Sequence, residues 1–450
     1  MKTRIRHFLE IISANIWMVP LAFLLGAMAI AVFNFYADTV LISKQIKYFD
    51  GYLDFRNAEN IRTILSVSAT SILGVAGVSF SITVASLTLA SQQFGSRLLR
   101  NFMMDRFNQI VLGVFIGTFM YCVMMLHFTG SMDLENTTPF ISMIGLLILV
   151  VTSLLMLVFF IHHIAVSIQA DSVISDVNGL LQLQLNKLFP DARVDKEHLT
   201  ERLSTDKQDD IFNDKALAIF ANKSGYLQAV DQDSLLSFIN DNNLAVKLTV
   251  KPGDFLIKNS QIGLCLCTDE DSADFYEKVN CPINDSLLIG DKSTAEQDPE
   301  FAFRQLVEVA IRALSPSIND PFTAIVCINR IGDNIAFLMS RDFPSEHHFD
   351  EEGRLRLITK PYSFEGIVEA SFNQIRQNGR SDVAVTICLF DTLYALAQQA
   401  QTLTHARAIC TQVNALYSAS NENFNAQKDR DDIKDKFDAV DQLLGERFEL

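Results

Sequence analysis

The chain has 450 residues and a formal net charge of −16, from 37 Lys and Arg against 53 Asp and Glu. The charge is unevenly spread: residues 1–170 hold ten basic and eight acidic side chains, whereas residues 171–450 hold 27 basic and 45 acidic ones. An acidic surface repels phosphate backbones, so the composition argues against a DNA- or RNA-binding protein. The length indicates two or three domains.

Four apolar stretches near the N-terminus are long enough to cross a bilayer, whose hydrocarbon core of about 30 Å takes about 20 helical residues. They lie at about 16–36, 63–90, 109–128 and 140–164. None of these stretches contains Asp, Glu, Lys or Arg. Such residues mark proton relays and coupled transporters inside membranes. We therefore predict four transmembrane helices and argue against those two mechanisms.

The orientation of these spans is predicted from basic residues, which favour the cytoplasmic side. They precede the first span and follow the second, whereas the connection at 129–139 has none. Four basic residues in the first connection weaken this bias. Seven scattered cysteines, without the spacing of a disulfide framework, indicate a reducing compartment for the acidic region. The sequence thus predicts both termini in the cytoplasm.

Small and polar residues recur along the second span at steps of three or four, which places them on one helix face. The candidate pore-lining residues are Thr63, Ser66, Thr70, Gly74, Gly77, Ser81, Thr88 and Gln92. Two interpretations stay open. Small residues and hydroxyls let membrane helices pack closely, and the same groups also line water-filled paths.

Two arginines follow the second span in an amphipathic stretch that is typical of a helix at the membrane interface. If the span lines a path, Arg97 and Arg100 would surround its inner mouth. A ring of positive charge raises the local concentration of anions. The candidate permeant species is therefore a small anion.

The acidic region is predicted to contain three parts. Residues 171–213 read as an amphipathic helix and a linker, and residues 214–297 as a small β-barrel-like module with short strands between Gly- and Pro-containing turns. From residue 298 onward helices dominate, beginning with the N-cap Asp298 before Pro299. The predicted fold class is thus membrane α-helical followed by an α+β region.

Motifs with catalytic or metal-binding chemistry are weak in this sequence. The run Gly290–Thr294 resembles half a phosphate loop, but Asp291 precedes its lysine where glycine is needed, so a turn is favoured. No nucleophile–base pair, metal-ligand spacing or cofactor motif is evident, and we predict no cofactor, no metal and no enzyme activity. One loop holds candidate polar ligands at Arg312, Ser315, Asn319 and Asp320. Helix capping explains the same residues.

Several segments together resemble one family. They are Val78–Thr83, Gln92–Arg100, Asp105-Arg106, Leu112–Phe115, Phe160–Ile164, Gly225–Asp231, Pro252–Phe255, Arg312–Pro321 and Thr323-Ala324. In this order they resemble the bacterial membrane-protein family known as domain of unknown function 2254. The resemblance implies a multi-pass protein of the bacterial inner membrane with a cytoplasmic domain, and it implies no particular activity.

The resulting functional hypothesis is a homo-oligomeric, channel-like membrane protein. Its second span would line a polar pathway, and its cytoplasmic region would act as gate or sensor. The alternative is a membrane-anchored sensory or scaffold protein that does not conduct, and an enzyme of unrecognised type is the third possibility. The expected partners are membrane lipid, further copies of the chain and a small ion.

Overall fold

The computed structural model divides the chain into two compact units, Met1–Ser172 and Val173–Leu450. The described residues are 17–43, 58–95, 105–131, 139–189, 212, 216–266 and 276–448. The predicted order, with apolar helices first and an α+β region after them, is confirmed.

Long helices make up the described part of the first unit: α1 (Met18–Ser43), α2 (Ala58–Phe94), α3 (Arg106–Ser131) and α4 (Phe140–Ser167). They extend beyond the predicted spans, because helical hydrogen bonds continue past an apolar window. The apolar part of α1 reaches Val40 and includes Asp38, and that of α2 begins at Glu59 and includes Arg62. Asp38, Glu59 and Arg62 therefore lie within the apolar helices but outside the predicted spans at 16–36 and 63–90.

Helix α3 is the centre of the first unit and packs against α1, α2 and α4. In the most apolar part of α3, 44% of the residues are buried, against 17–22% in the corresponding parts of α1, α2 and α4. The side chains of Phe115, Tyr121 and Cys122 on α3 are fully buried. The three outer helices consequently turn most of their surface away from this bundle.

Two glycines on α3 allow α1 to approach closely. A Cβ at Gly113 would lie 2.9 Å from the ring of Phe23, and one at Gly117 would lie 3.2 Å from the carbonyl oxygen of Phe23. Small residues at a contact let membrane helices gain dispersion energy over a longer length. The tight packing of α1 on α3 therefore depends on these glycines.

The second unit is an α+β region. Its helices are α5 (Ala170–Leu188, within this unit from Val173), α6 (Gln232–Asp241), α7 (Cys281–Asp285), α8 (Pro299–Ala313), α9 (Pro321–Met339), α10 (Phe364–Asn378), α11 (Val383–Gln399), α12 (Leu403–Asn423) and α13 (Gln427–Phe448). A π-helical turn, Tyr276–Asn280, precedes α7. The side chain of Asp298 caps α8 and that of Ser363 caps α10, each accepting a hydrogen bond from the N–H three residues later. The predicted N-cap at Asp298 is thus confirmed.

Helix α9 is also long and apolar enough to cross a membrane, so five described helices meet that criterion. It differs from α1, α2 and α4 because half of its apolar window is buried within the second unit, where it packs against α8 and α11. It also carries Arg330 and Asp333. These features are typical of a core helix, and the number of four spans stays a prediction.

The strands are β1 (Leu217–Phe220), β2 (Gly225–Val230), β3 (Ala245–Leu248), β4 (Phe255–Leu256), β5 (Gln261–Leu266), β6 (Leu287–Gly290), β7 (His347–Phe349) and β8 (Leu355–Ile358). They form a five-stranded sheet, ordered β1-β5-β3-β8-β7, and a three-stranded sheet, ordered β4-β2-β6. Neither described sheet closes on itself, so the predicted β-barrel-like module is wrong. Val246 of β3 pairs in parallel with Leu357 of β8. This pairing adds β8 and β7, which lie about a hundred residues further along the chain, to the sheet of β1, β5 and β3.

Helix α5 packs into the second unit with one face. Its buried residues are Val173, Ile174, Val177, Asn178, Leu181 and Leu185. The amide of Asn334 on α9 donates to the side-chain oxygen of Asn178 at 2.6 Å. Just beyond α5, the ring of Phe189 lies 4.8 Å from that of Phe343. The compact unit therefore begins with α5, well before the first strand.

We predict that a fragment starting at residue 171 folds in water without detergent, and that α5 stabilises it. Leu181 is 1% exposed and Leu183 is 69% exposed on the same helix. In this fragment, Leu181→Ala should lower the free energy of unfolding by about 2–5 kcal/mol, whereas Leu183→Ala should change it by less than about 0.5 kcal/mol. Urea denaturation followed by circular dichroism measures both values. Equal effects of the two substitutions would contradict the packing of α5.

Candidate functional site

The predicted pore-lining residues share one face of α2, and all eight are exposed. They are Thr63, Ser66, Thr70, Gly74, Gly77, Ser81, Thr88 and Gln92. The face towards the bundle carries apolar side chains such as Ile61, Leu65 and Ile72. A Cβ added at Gly74 or Gly77 would meet nothing within 4 Å. We call this outward face the α2 stripe, and no helix of the described first unit covers it.

Four of the five hydroxyl groups on the α2 stripe donate to a carbonyl oxygen of the same helix. Thr63 donates to the carbonyl oxygen of Glu59 at 2.8 Å, and Ser81 donates to that of Gly77 at 2.9 Å. Thr70 and Thr88 repeat this pattern at 2.9 Å. Since each proton has an acceptor four residues earlier, these groups do not require water. Their oxygens can still accept hydrogen bonds from water or from another helix.

The N-terminal end of the α2 stripe opens into a polar cavity of about 610 Å³. It is lined by Glu59, Arg62, Thr63, Ser66 and Val67. The guanidinium of Arg62 also donates to the carbonyl oxygen of Thr129 on α3 at 3.4 Å. The stripe therefore ends at a charged cavity that could receive a polar ligand or ion.

Beyond the other end of the stripe, the predicted mouth residues Arg97 and Arg100 lie outside the described residues. The first described residue after them that takes part in a polar contact is Asp105. Its carboxylate accepts from the backbone N–H of Phe107 at 2.9 Å, and its second oxygen lies 2.5 Å from Nε2 of His163. The carboxylate lies at the N-terminus of α3, where the helix dipole favours a negative charge, and the imidazole lies in the last turns of α4.

A buried polar network that the sequence did not indicate lies between α1, α3 and α4. Asp38 accepts from the backbone N–H groups of Ile141 and Ser142 at 2.8 and 3.0 Å, and from the Ser142 hydroxyl at 2.6 Å. The Tyr121 hydroxyl donates to the carbonyl oxygen of Ser142 at 2.8 Å, and the Asn34 amide donates to Tyr121 at 3.0 Å. We call these four side chains, of Asn34, Asp38, Tyr121 and Ser142, the Asp38 network.

The Asp38 network replaces a local helix cap. The N-cap position of α4 is Pro139, which makes no side-chain cap bond. The first N–H groups of a helix have no acceptor within the helix. For α4, the carboxylate of Asp38 on α1 is the acceptor. The signal in the sequence is the carboxylate of Asp38, two residues beyond Tyr36, where the predicted first span ends.

In the predicted polar loop of the second unit, the side chains of Arg312, Ser315 and Asp320 contact neighbouring residues. Asp320 caps α9 by accepting from Thr323 N–H at 3.2 Å and from the Thr323 hydroxyl at 2.6 Å. Arg312 lies 3.5 Å from Glu308. Ser315 lies 3.2 Å from Ser317, and Asn319 adopts a φ of 51°. These contacts fit the capping interpretation of the loop.

An ionic cluster lies where the turn after β3 meets the start of α8. The ammonium of Lys251 lies 2.5 Å from one carboxylate oxygen of Glu300, and Arg304 lies 2.8 Å from the other. Asp298 is 2% exposed, and a side chain at Gly253 would collide with its carboxylate. Burial raises the pKa of Asp298 to about 6. The hydrogen bond that its carboxylate accepts from Phe301 N–H and the positive charge of Arg304 act in the opposite direction and lower this pKa. The cluster joins the turn to the helix and contains a buried titratable group.

No three His, Cys, Asp or Glu side chains among the described residues are grouped so that they could hold a metal ion. The cysteines that the structure describes form no disulfide bonds with one another, and burial raises the pKa of Cys327 to about 12. That thiol is therefore a poor nucleophile at neutral pH. The polar groups with the clearest arrangement are thus the α2 stripe, its cavity and the Asp38 network.

A unit of long apolar helices followed by an α+β unit defines a multi-pass membrane protein. Residues 13–395 match the family described as "Predicted membrane protein (DUF2254)". The chain belongs to this family. It is also 30% identical over 439 residues to uncharacterized proteins of Mycobacterium tuberculosis and Mycobacterium bovis, with 96% of this chain and 81% of each relative covered. No solved structure matches the chain.

We predict that the Asp38 network holds the membrane bundle together. Asp38→Ala should lower the free energy of unfolding by about 3 kcal/mol, because it leaves buried N–H groups without an acceptor. Thr39→Ala is the matched control, since this exposed hydroxyl bonds only locally, to the Tyr36 carbonyl oxygen. Thermal unfolding of the full chain in detergent compares the two. The network would be unimportant for stability if both variants melted like the parent protein.

We also predict a pH dependence that originates at Asp298. Its folded pKa of about 6 lies above its ordinary value of 3.8, so the folded state binds the proton more tightly than the unfolded state. This group's contribution therefore falls as pH rises from about 4 to about 6, by at most about 3 kcal/mol. Asp298→Asn keeps a cap acceptor and removes the titration, so the variant should lose this part of the slope.

The measurement is urea denaturation of the fragment starting at residue 171, between pH 4 and pH 7. Asp320→Asn makes the same change at a half-buried cap and controls for the weaker acceptor. A difference between parent and Asp298→Asn that stays constant with pH would disprove the assignment.

Proposed function

We propose that the protein is a homo-oligomeric, channel-like protein of the bacterial inner membrane. The α2 stripe of each copy would line a polar pathway, and the second unit would act as a cytoplasmic gate or sensor. Both termini would lie in the cytoplasm. The observation that carries the proposal is the exposure of a small, hydroxyl-rich face along the length of α2.

A comparison with α4 supports an assembly of several copies. The exposed residues of α4 are large and aliphatic or aromatic, including Leu147, Val151, Leu154, Val158 and Phe159. Such a surface suits lipid tails. The α2 stripe consists of Gly, Ser, Thr and Gln, and such faces gain from packing against helices rather than lipid. In a symmetric assembly each copy presents the same face, so the stripes would converge on one axis.

The length and the ends of the stripe favour a path through this assembly. Thr63 and Gln92 are 29 residues apart, or about 44 Å along a helix, which exceeds a hydrocarbon core of about 30 Å. The cavity with Glu59 and Arg62 lies at one end. Arg97 and Arg100 follow the other end in the sequence. With arginine near both ends, the proposed permeant species is a small anion.

The alternative is a membrane-anchored sensory or scaffold protein with no conduction. The internal bonding of the stripe hydroxyls favours it, because such a face can pack without water. In that case the stripes would touch one another and leave no path. An enzyme remains the third proposal, with no observation that favours it.

The test combines assembly and conduction. Ser81→Cys should form inter-copy disulfides on oxidation in vesicles, whereas Val158→Cys, 67% exposed on α4, should not. Purified protein in planar bilayers should conduct, with a reversal potential in a salt gradient that leans towards the anion. Ser81→Leu should reduce the conductance, because it narrows and dries the path. Arg97→Glu should move the reversal potential towards cations.

Different outcomes separate the proposals. Cross-linking at position 81 without current, in protein that assembles normally, would favour the scaffold. Equal cross-linking at positions 81 and 158 would reject the stripe as the contact between copies. Current that neither Ser81→Leu nor Arg97→Glu alters would place the path elsewhere.

A further inference from the structure

Two segments of the second unit, at the β1–β2 and β4–β5 connections, lie side by side. The backbone N–H of Asn259 donates to the carbonyl oxygen of Ala221 at 2.9 Å, and Ala221 N–H donates to that of Ser260 at 3.0 Å. Lys258 N–H donates to the Ser224 hydroxyl at 2.9 Å. Residues 220–224 and 255–260 are therefore held together, and we call them the β-tip.

The β-tip combines exposed apolar side chains with lysines. Phe220, Phe255 and Ile257 are 42%, 56% and 64% exposed. Lys223 and Lys258 are also exposed. The ring of Tyr226 lies edge-on against Phe255 at 5.0 Å and holds it in place. Apolar groups grouped with lysines are typical of surfaces that enter a membrane interface.

The charge of the β-tip differs from that of the surrounding region. Residues 220–224 and 255–260 contain two lysines and no Asp or Glu, whereas residues 171–450 are strongly acidic. Asp254, next to Phe255, lies 3.2 Å from the ammonium of Lys360. The adjoining short helices add Glu277, Lys278 and Asp285. An anionic bilayer repels the acidic surface of residues 171–450 as a whole, but it attracts the positively charged β-tip.

A second exposed apolar site in this unit lacks such lysines. Ile318 and Phe322 are 40% and 77% exposed, and Asp320 stands between them. The negative charge of Asp320 is repelled by an anionic surface. The β-tip is therefore the better candidate for contact with lipid.

We propose that the β-tip docks on a membrane surface containing anionic lipid. Phe255 and Ile257 enter the headgroup region, and Lys223 and Lys258 contact lipid phosphates. A symmetric contact between two tips would bring like charges together, which disfavours a second copy as the occupant. The membrane spans of the same chain keep the bilayer at a high effective concentration. This inference is independent of conduction.

The experiment uses the full chain in vesicles with a fluorescent probe in the β-tip. Trp17 is the single tryptophan, so Trp17→Phe provides a dark background. Phe255→Trp places the probe in the tip, and Phe349→Trp, at a 37% exposed position of β7, is the control. The vesicles contain phosphatidylcholine brominated near the headgroup, with or without phosphatidylglycerol. Ile257→Trp serves if Phe255→Trp does not fold.

With phosphatidylglycerol present, emission from position 255 should be quenched several-fold more than emission from position 349. Lys223→Gln with Lys258→Gln, or high salt, should remove most of that quenching. Three results would overturn the proposal. The first is no quenching at position 255. The second is quenching that is equally strong without phosphatidylglycerol or without the lysines. The third is a blue shift of the emission that increases with protein density and occurs without quenching, which indicates a protein partner.

Discussion

A helix inside a membrane unit must find acceptors for its first N–H groups, and for α4 they come from a different helix. Asp38 on α1 accepts from Ile141 and Ser142 because Pro139 makes no side-chain cap bond. Tyr121 of the central helix α3 joins the same group through the Ser142 carbonyl oxygen. One carboxylate therefore links the helices on which the bundle depends. It can be buried because three donors replace its hydration.

With α1 and α4 held against α3, the outward surface of the bundle has two kinds of face. The face of α4 is large and aliphatic, whereas the α2 stripe is small and hydroxylated. Lipid tails pack well against the aliphatic face of α4. Against the α2 stripe, another helix can pack more closely than lipid tails can. The difference between these faces underlies the proposed assembly. The internal hydrogen bonds of the stripe explain why a hydroxyl-rich face is tolerated at the surface of a single copy.

The second unit is organised by contacts between distant segments. Strand β8 pairs with β3 in parallel, and Lys251 in the turn after β3 reaches Glu300 on α8. Asp298, beside this contact, both caps α8 and lies against Gly253. A hydrogen bond from Asn334 to Asn178 joins α5 to α9. The unit is therefore a single α+β core that starts with α5.

The sequence by itself determined the features that depend on neighbouring residues. Apolar runs indicated the helices of the first unit, steps of three and four placed the α2 stripe on one face, and Asp298 before Pro299 predicted the start of α8. Each of these follows from helix geometry within a few residues. Only the tertiary structure decided that Asp38 is buried, that β8 joins β3 and that the strands form two open sheets. In these cases the partners are between about 30 and about 110 residues apart. Periodicity carries no information about which distant segment supplies the missing hydrogen bond.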